Sequence, residues 1–149
     1  MIRLADYKDT KIIVTLLRKF LSETSYSQAE SAANDQEHLC KLIWTIQQHG
    51  WIWLAFFKEE PVGLLMATKE PNLWYPKAHE MRELVWFVTA EHRNSSLGGK
   101  LFLEYCKKAE ELMKNGNIQG YFTTRMPTTE SVNLERRGFK LKEMTYLKD

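Results

Sequence analysis

The stretch from Glu83 to Lys100 holds the residues best suited to chemistry. It runs through Phe87, Val88 and Thr89 into Arg93, Asn94, Ser95, Ser96, Leu97, Gly98, Gly99 and Lys100. An apolar, alternating run ends at Val88, and apolar residues at helical spacing follow from Leu101, so the polar turn between them opens a helix directly behind a strand. The first N–H groups of a helix have no partner within it, and together with the helix dipole they make a ready site for an anion, phosphate above all. Gly98 and Gly99 let a ligand approach the backbone closely. Arg93 and Lys100 add positive charge, and Arg can hold phosphate oxygens with two parallel hydrogen bonds. A glycine pair at a helix start also serves as a plain cap or a close helix–strand contact. The spacing is neither that of a P-loop, GxxxxGK(S/T), nor that of a GxGxxG dinucleotide fingerprint.

A second point of interest is Glu83 itself, a carboxylate inside an otherwise apolar strand. Burying an unpaired carboxylate is costly, so such a residue either has chemical work or pairs with a neighbouring cation, Arg82 or Arg125. Trp74 and Tyr75 lie in a loop bracketed by Pro71 and Pro76. Loops carry binding residues more often than cores do, which makes this pair a candidate wall for a bound molecule. The histidines at 38, 49, 79 and 92 show no ligand spacing, and no metal site is expected.

The elements that must position these residues follow from periodicity. Ile2 to Leu4 reads as a short strand, capped into a helix by Asp6 or Asp9, with Ile12, Ile13, Leu16, Leu17, Phe20 and Leu21 forming one buried stripe. Ser22 to Asn34 is loop or weak helix, and Asp35 to His49 is a second amphipathic helix ended by Gly50. Trp51 to Phe57 and Val62 to Thr68 form a hairpin across Lys58 to Pro61. His79 to Val88 is the next strand, with Leu84, Trp86 and Val88 on one face and Met81, Glu83, Val85 and Phe87 on the other. A long helix runs from Leu101 to Asn115-Gly116, then come a strand at Gln119 to Thr124, a short helix at Thr129 to Arg137, and strands at Phe139 to Glu143 and Thr145 to Lys148.

The bulk composition suits a soluble globular chain of one domain spanning residues 1–149, with 44% hydrophobic and 27% charged content. A net charge of +2 gives no polyanion footprint, and the short runs Lys107-Lys108 and Arg136-Arg137 read as solvated helix faces, so a nucleic-acid partner is not expected. Cys40 and Cys106 are isolated and are expected as reduced thiols. No window has the ~18 apolar residues of a membrane span and no apolar leader follows Met1, so a cytoplasmic location is expected.

Over Glu83 to Leu101 the sequence resembles the GNAT acetyltransferase family. That family's pyrophosphate motif is (Arg/Gln)-x-x-Gly-x-(Gly/Ala), after a strand ending Val-x-Pro-Glu-x-Arg. Here the strand ends Val88-Thr89-Ala90-Glu91-His92-Arg93, and the turn continues to Ser96 and Gly98. Ser96 stands where the family prefers Gly, and Ala90 where Pro is common. The Glu83-Leu-x-Trp-x-Val88 strand and the closing Glu143-x-x-Tyr146-x-Lys148 look like small family members carried by phages. The resemblance implies an α+β GNAT fold, with a central, mixed but mostly antiparallel twisted sheet of six to seven strands flanked by about four helices. It also implies acetyl-CoA as acyl donor, its pantetheine arm lying along the strand at Phe87, Val88 and Thr89. Its pyrophosphate would sit on the N–H groups of Asn94 to Gly99, with Arg93 and Lys100 nearby.

The implied reaction is direct attack of a primary amine on the thioester, giving a transfer of the acetyl group within a ternary complex. An alkylammonium has a pKa of about 10.4 and must first lose a proton. Glu83 is the candidate base, acting directly or through water, with Glu80 a weaker alternative. Many family members carry a Tyr as general acid in Tyr-x-x-x-Gly-Phe; here Leu134 takes that position ahead of Gly138-Phe139, and Tyr146 is the candidate substitute. The alternative is a GNAT-fold module that binds coenzyme A or a protein partner without turnover. The acceptor, a small-molecule or protein amine, carries no recognisable code, and apolar edges in the last strands could pair two copies into a homodimer.

Overall fold

The computed structural model describes residues 1–125 and 133–148. Among the described residues nine α-helices and β-strands follow one another: β1 (Ile2–Leu4), α1 (Thr10–Ser22), α2 (Ala29–Asn34), α3 (Gln36–His49), β2 (Gly50–Phe57), β3 (Glu60–Pro71), β4 (His79–Val88), α4 (Leu97–Lys114) and β5 (Gly120–Phe122). The strands lie in one sheet in chain order, antiparallel from β1 to β4, with β5 added parallel to β4. A parallel neighbour requires a crossover, and α4 provides it.

The local signals behave as their chemistry dictates. Asp35 accepts the His38 N–H at 2.9 Å and starts α3. Lys58 and Glu59 both take left-handed φ angles, 46° and 70°, the conformation that turns two strands tightly back on each other. The ambiguous segment Ser22 to Asn34 resolves into a turn followed by the short helix α2, braced by the Arg18 guanidinium on the Ala33 carbonyl at 2.9 Å.

The sheet has a core on each face. On one, α1 and α3 deliver Ile13, Leu16, Leu17, Leu39, Ile43 and Ile46 onto Ile52, Leu54, Leu64, Met66 and Phe87. On the other, α4 lays Leu97, Leu101, Phe102, Tyr105 and Ala109 across Trp53, Leu65, Ala67, Met81 and Val88. Cys106 shares that second face, where burial pushes its thiol up to about 11. Among the described residues no helix is long and apolar enough to cross a membrane.

Three expectations need correction. Residues 139–148 form neither of the two expected strands, so the sheet among the described residues has five strands rather than six or seven. A strand is not a local property: it needs a ladder partner, and here Glu143 also breaks the alternation that Phe139 and Leu141 begin. Of the helix expected at Thr129 to Arg137, residues 129–132 lie outside the described ones, and the described remainder holds a single 3₁₀ turn at Glu135–Arg137 closed by left-handed Gly138. The faces of β4 also differ from strict alternation. Met66 opposes Val85 and the next residue, Ala67, opposes Glu83, so Leu84 is an extra, bulged residue. The bulge moves Met81 and Glu83 onto the face of Trp86 and Val88, toward α4.

Candidate active site

The turn between β4 and α4 presents a row of main-chain donors. After a 3₁₀ turn at Ala90–His92, α4 starts at Leu97 with Ser96 in the cap position, yet the Ser96 side chain makes no capping bond. Lys100 N–H is the first to bond back, to the Ser96 carbonyl at 3.0 Å. Among the described residues the N–H groups of Asn94, Ser96, Gly98 and Gly99 donate to no protein acceptor. The glycines are not required by packing: a Cβ at Gly98 would meet Val88 and Trp86 at ordinary distances of 3.7 and 3.8 Å, and at Gly99 it would meet nothing within 4 Å. Neither has a positive φ. Two glycines in the first turn of a helix cost it stability, and the space they leave is what an anion seated on the free N–H groups would occupy. The Trp86 indole N–H donates to the Gly98 carbonyl at 3.1 Å, and its ring stacks on Phe102 at 4.8 Å, which ties the turn to β4.

From this turn an open strand edge leads back along β4. The β4–β5 ladder holds three rungs, ending at Arg82↔Phe122, and from Glu83 to Val88 no strand lies on that side among the described residues. Thr89 N–H donates to the Val62 carbonyl at 2.8 Å. By the alternation of an antiparallel ladder Phe87 also faces β3, so Trp86 and Val88 are the residues whose main-chain groups turn toward the open edge. The Val88 carbonyl accepts the Arg93 Nε–H at 2.9 Å.

Where the two strands part sits Glu83. It is 6% exposed, and its carboxylate accepts the Thr124 N–H at 2.9 Å and the Thr123 hydroxyl at 3.2 Å. Burial raises its pKa above the usual carboxylate value, opposed by those two donors. The expected ionic partners are engaged elsewhere or absent. Arg82 bonds Glu70 at 2.8 Å and lies over the Phe122 ring, and no ion pair joins Arg125 to Glu83 among the described residues. A buried carboxylate held by neutral donors, with a raised proton affinity and an open edge beside it, is placed to act as a base.

The remaining residues singled out from the sequence lie apart from this line. Arg93 folds back: besides Val88 its guanidinium pairs with Glu23 at the end of α1 and lies 5.7 Å from the Phe87 ring centre. Lys100 is exposed and forms no ion pair among the described residues. Glu80 accepts from the Asn72 amide at 3.1 Å. Trp74 and Tyr75 are exposed, their N–H groups both donating to the Asn72 side chain at 2.9 Å, so the loop before β4 has internal order. Tyr146 is 84% exposed in the irregular segment, and its hydroxyl meets only the Met144 sulfur among the described residues. It has no contact with the fork, because the strand expected to carry it there does not form. Leu134 packs against the α4 core. The sequence offered no sign of Thr123, Thr124 or Tyr105 as neighbours of Glu83: Tyr105 lies on the buried stripe of α4 and reads as core.

Comparison with known proteins adds the following. The model of the Acetyltransferase (GNAT) family matches residues 14–139. No curated protein sequence matches the chain. Among solved structures, a GNAT family acetyltransferase from Staphylococcus aureus superposes with a TM-score of 0.68 at 18% identity, over 100% of this chain and 97% of that one. A predicted acetyltransferase from Clostridium acetobutylicum, solved with acetyl-CoA, gives 0.72 at 13% identity over 100% and 95%. An aminoglycoside acetyltransferase from an uncultured soil metagenomic sample, solved in complex with sisomicin, gives 0.68 at 16% identity over 100% and 96%. At these identities the likeness is one of fold.

Proposed function

Since this chain belongs to the acetyltransferase (GNAT) family, we propose that it transfers the acetyl group of acetyl-CoA to a primary amine, the two substrates bound together. The observation that carries the reading is the continuous open edge of β4, running from a turn of free N–H groups to a buried carboxylate. The pyrophosphate sits on the N–H groups of Asn94, Ser96, Gly98 and Gly99, with Lys100 adding charge from nearby. The pantetheine arm pairs with the main chain of Val88 and Trp86, along the edge that no strand covers among the described residues. From Val88 back to Glu83 is roughly 16 Å of strand at about 3.3 Å per residue, which brings the thioester to the fork.

There Glu83 takes a proton from the ammonium, directly or through one water, and the freed amine attacks the carbonyl carbon. The carbon–sulfur bond breaks, an amide forms, and coenzyme A departs as a thiolate that takes up a proton. A thiol with a pKa of about 8.5 is a tolerable leaving group near neutral pH without a dedicated acid. The neighbour solved with sisomicin supports a small-molecule amine as acceptor. Trp74 and Tyr75, at the opposite end of β4 from the turn, offer such an acceptor an aromatic wall.

Calorimetric titration with acetyl-CoA, followed by thiol release over a panel of amines, tests the reading. Saturable binding and amine-dependent release are expected. No binding at high micromolar acetyl-CoA would overturn it. Tight binding without release against any amine would favour the second reading, a coenzyme-A-binding module, which Leu134 in the usual tyrosine position and the exposed Tyr146 recommend.

A further inference from the structure

Tyr105 is fully buried on α4, inside an aromatic set with Trp53, Phe102 and Tyr121. Phenylalanine would fill the same volume, so the hydroxyl needs its own explanation, and a buried hydroxyl is tolerated only when bonded. It donates to the carbonyl of Phe122, the last residue of β5, with the Met81 carbonyl of β4 at 3.4 Å as a second, weaker acceptor. These two carbonyls flank the final rung of the β4–β5 ladder, Arg82↔Phe122. Immediately beyond that rung, Thr124 gives its N–H to the side chain of Glu83 instead of to β4.

We propose that Tyr105 is a positioning residue for the acetyl transfer: its hydroxyl pins the point where β4 and β5 part and so holds Thr123 and Thr124 against the Glu83 carboxylate. The inference rests on the reading of Glu83 as the base. Two neutral donors steady the Glu83 anion, and both follow Phe122 directly in the chain. Without the Tyr105 hydroxyl, the Phe122 carbonyl loses its tether and the two threonines drift from the carboxylate. Burial then acts on Glu83 with less opposition, and its proton affinity rises further. The other ionisable groups around the fork are Arg82, held by Glu70; Arg125, without an ion pair to Glu83 among the described residues; and Tyr121 and Cys106, whose protons burial holds up to about 12 and about 11. None of these two acids ionises in the pH range that matters.

The test is Tyr105→Phe, assayed beside Glu83→Gln. In Tyr105→Phe the KM for acetyl-CoA is expected to stay within about twofold, while kcat at pH 7 falls roughly threefold to tenfold. The acidic limb of the kcat profile is expected to move upward by about half a unit or more. A carbon-13 titration of the Glu83 carboxyl, which needs no substrate, is expected to show the same displacement. An unmoved limb and an unmoved carboxyl titration overturn the role of Tyr105, even if stability drops. Wild-type turnover in Glu83→Gln overturns the underlying reading of the base instead. Should Tyr105→Phe fail to fold, 3-fluorotyrosine placed at 105 keeps ring and hydroxyl and strengthens the donor. The Glu83 titration should then move downward, and its staying in place overturns the proposal.

Discussion

The turn after β4 presents main-chain N–H groups and asks little of its side chains, whereas the fork at Glu83 depends on one side chain and on the neighbours that hold it. Both lie on the same strand, yet they fail in different ways. A main-chain donor survives most substitutions so long as nothing fills the space in front of it. A buried carboxylate is lost with a single atom change, because its donors and its proton affinity belong to that group alone. Under the proposed function, binding and chemistry are therefore separable along β4, and each variant below is chosen to push the two ends apart or to show that they move together.

The largest effect is expected from Glu83→Gln, which keeps shape and hydrogen bonding and removes the basic oxygen. It should lower kcat by roughly 10²- to 10⁴-fold with little change in acetyl-CoA affinity measured by calorimetry. A parallel loss of affinity would mean that the two ends are one unit. The same variant carries a stability signature. The folded-state pKa of Glu83 is raised from its ordinary 4.5, so the native state binds the proton more tightly than the unfolded chain. The associated stability is complete below pH 4.5 and declines as pH rises through the folded value. Glu83→Gln removes that decline. Thermal melts at pH 7 should show it at least as stable as the wild type, with the gap closing near pH 4; a markedly less stable variant at pH 7 would make Glu83 a structural anchor.

Next comes the pair Gly98→Ala and Gly99→Ala. Open space surrounds Gly99, and only ordinary contacts await a methyl group at Gly98, so the fold should tolerate both and α4 should gain up to about 1 kcal/mol per site. Acetyl-CoA affinity should fall about tenfold, or about 1.4 kcal/mol. A protein that melts higher and binds worse is the expected outcome; unchanged affinity would remove the anion from this turn. Trp74→Ala should raise the KM for the amine by a few-fold and leave that for acetyl-CoA alone. Arg93→Ala should do least. Its partly exposed pair with Glu23 contributes about 1 kcal/mol or less, and its guanidinium faces Val88 and Glu23, so acetyl-CoA binding should weaken less than about threefold. A larger loss would bring that side chain back to the phosphates.

These two regions also differ in how far the sequence discloses them. The turn is legible because a strand, a small polar stretch and a helical stripe in that order oblige unpaired N–H groups to appear, whatever the side chains are. Even there, the main-chain groups facing the open edge belong to Trp86 and Val88, while Phe87 and Thr89 serve β3. Glu83 stood out as a charge in an apolar strand, but its partners did not. Thr123 and Thr124 reach it from 40 and 41 residues away, and the face it occupies depends on a bulge that strict alternation cannot foresee. The fold was legible from Ile2 through β4 and α4, where hydrophobic periodicity is strong. It was misread at residues 139–148, where alternation suggested strands without saying what they would pair with.

The bulge at Leu84 carries one more consequence. Because Leu84 is the extra residue, losing its codon in frame would leave Met81, Glu83, Trp86 and Val88 on the side they already occupy. Every substitution nearby trades one side chain for another, but this deletion would keep the cast and straighten the stage. Bulges bend and overtwist their strand, so a straightened β4 could run alongside the chain beyond Phe122 and seal the channel. An ancestor or descendant with one amino acid fewer here would keep the architecture and forfeit the transfer proposed above.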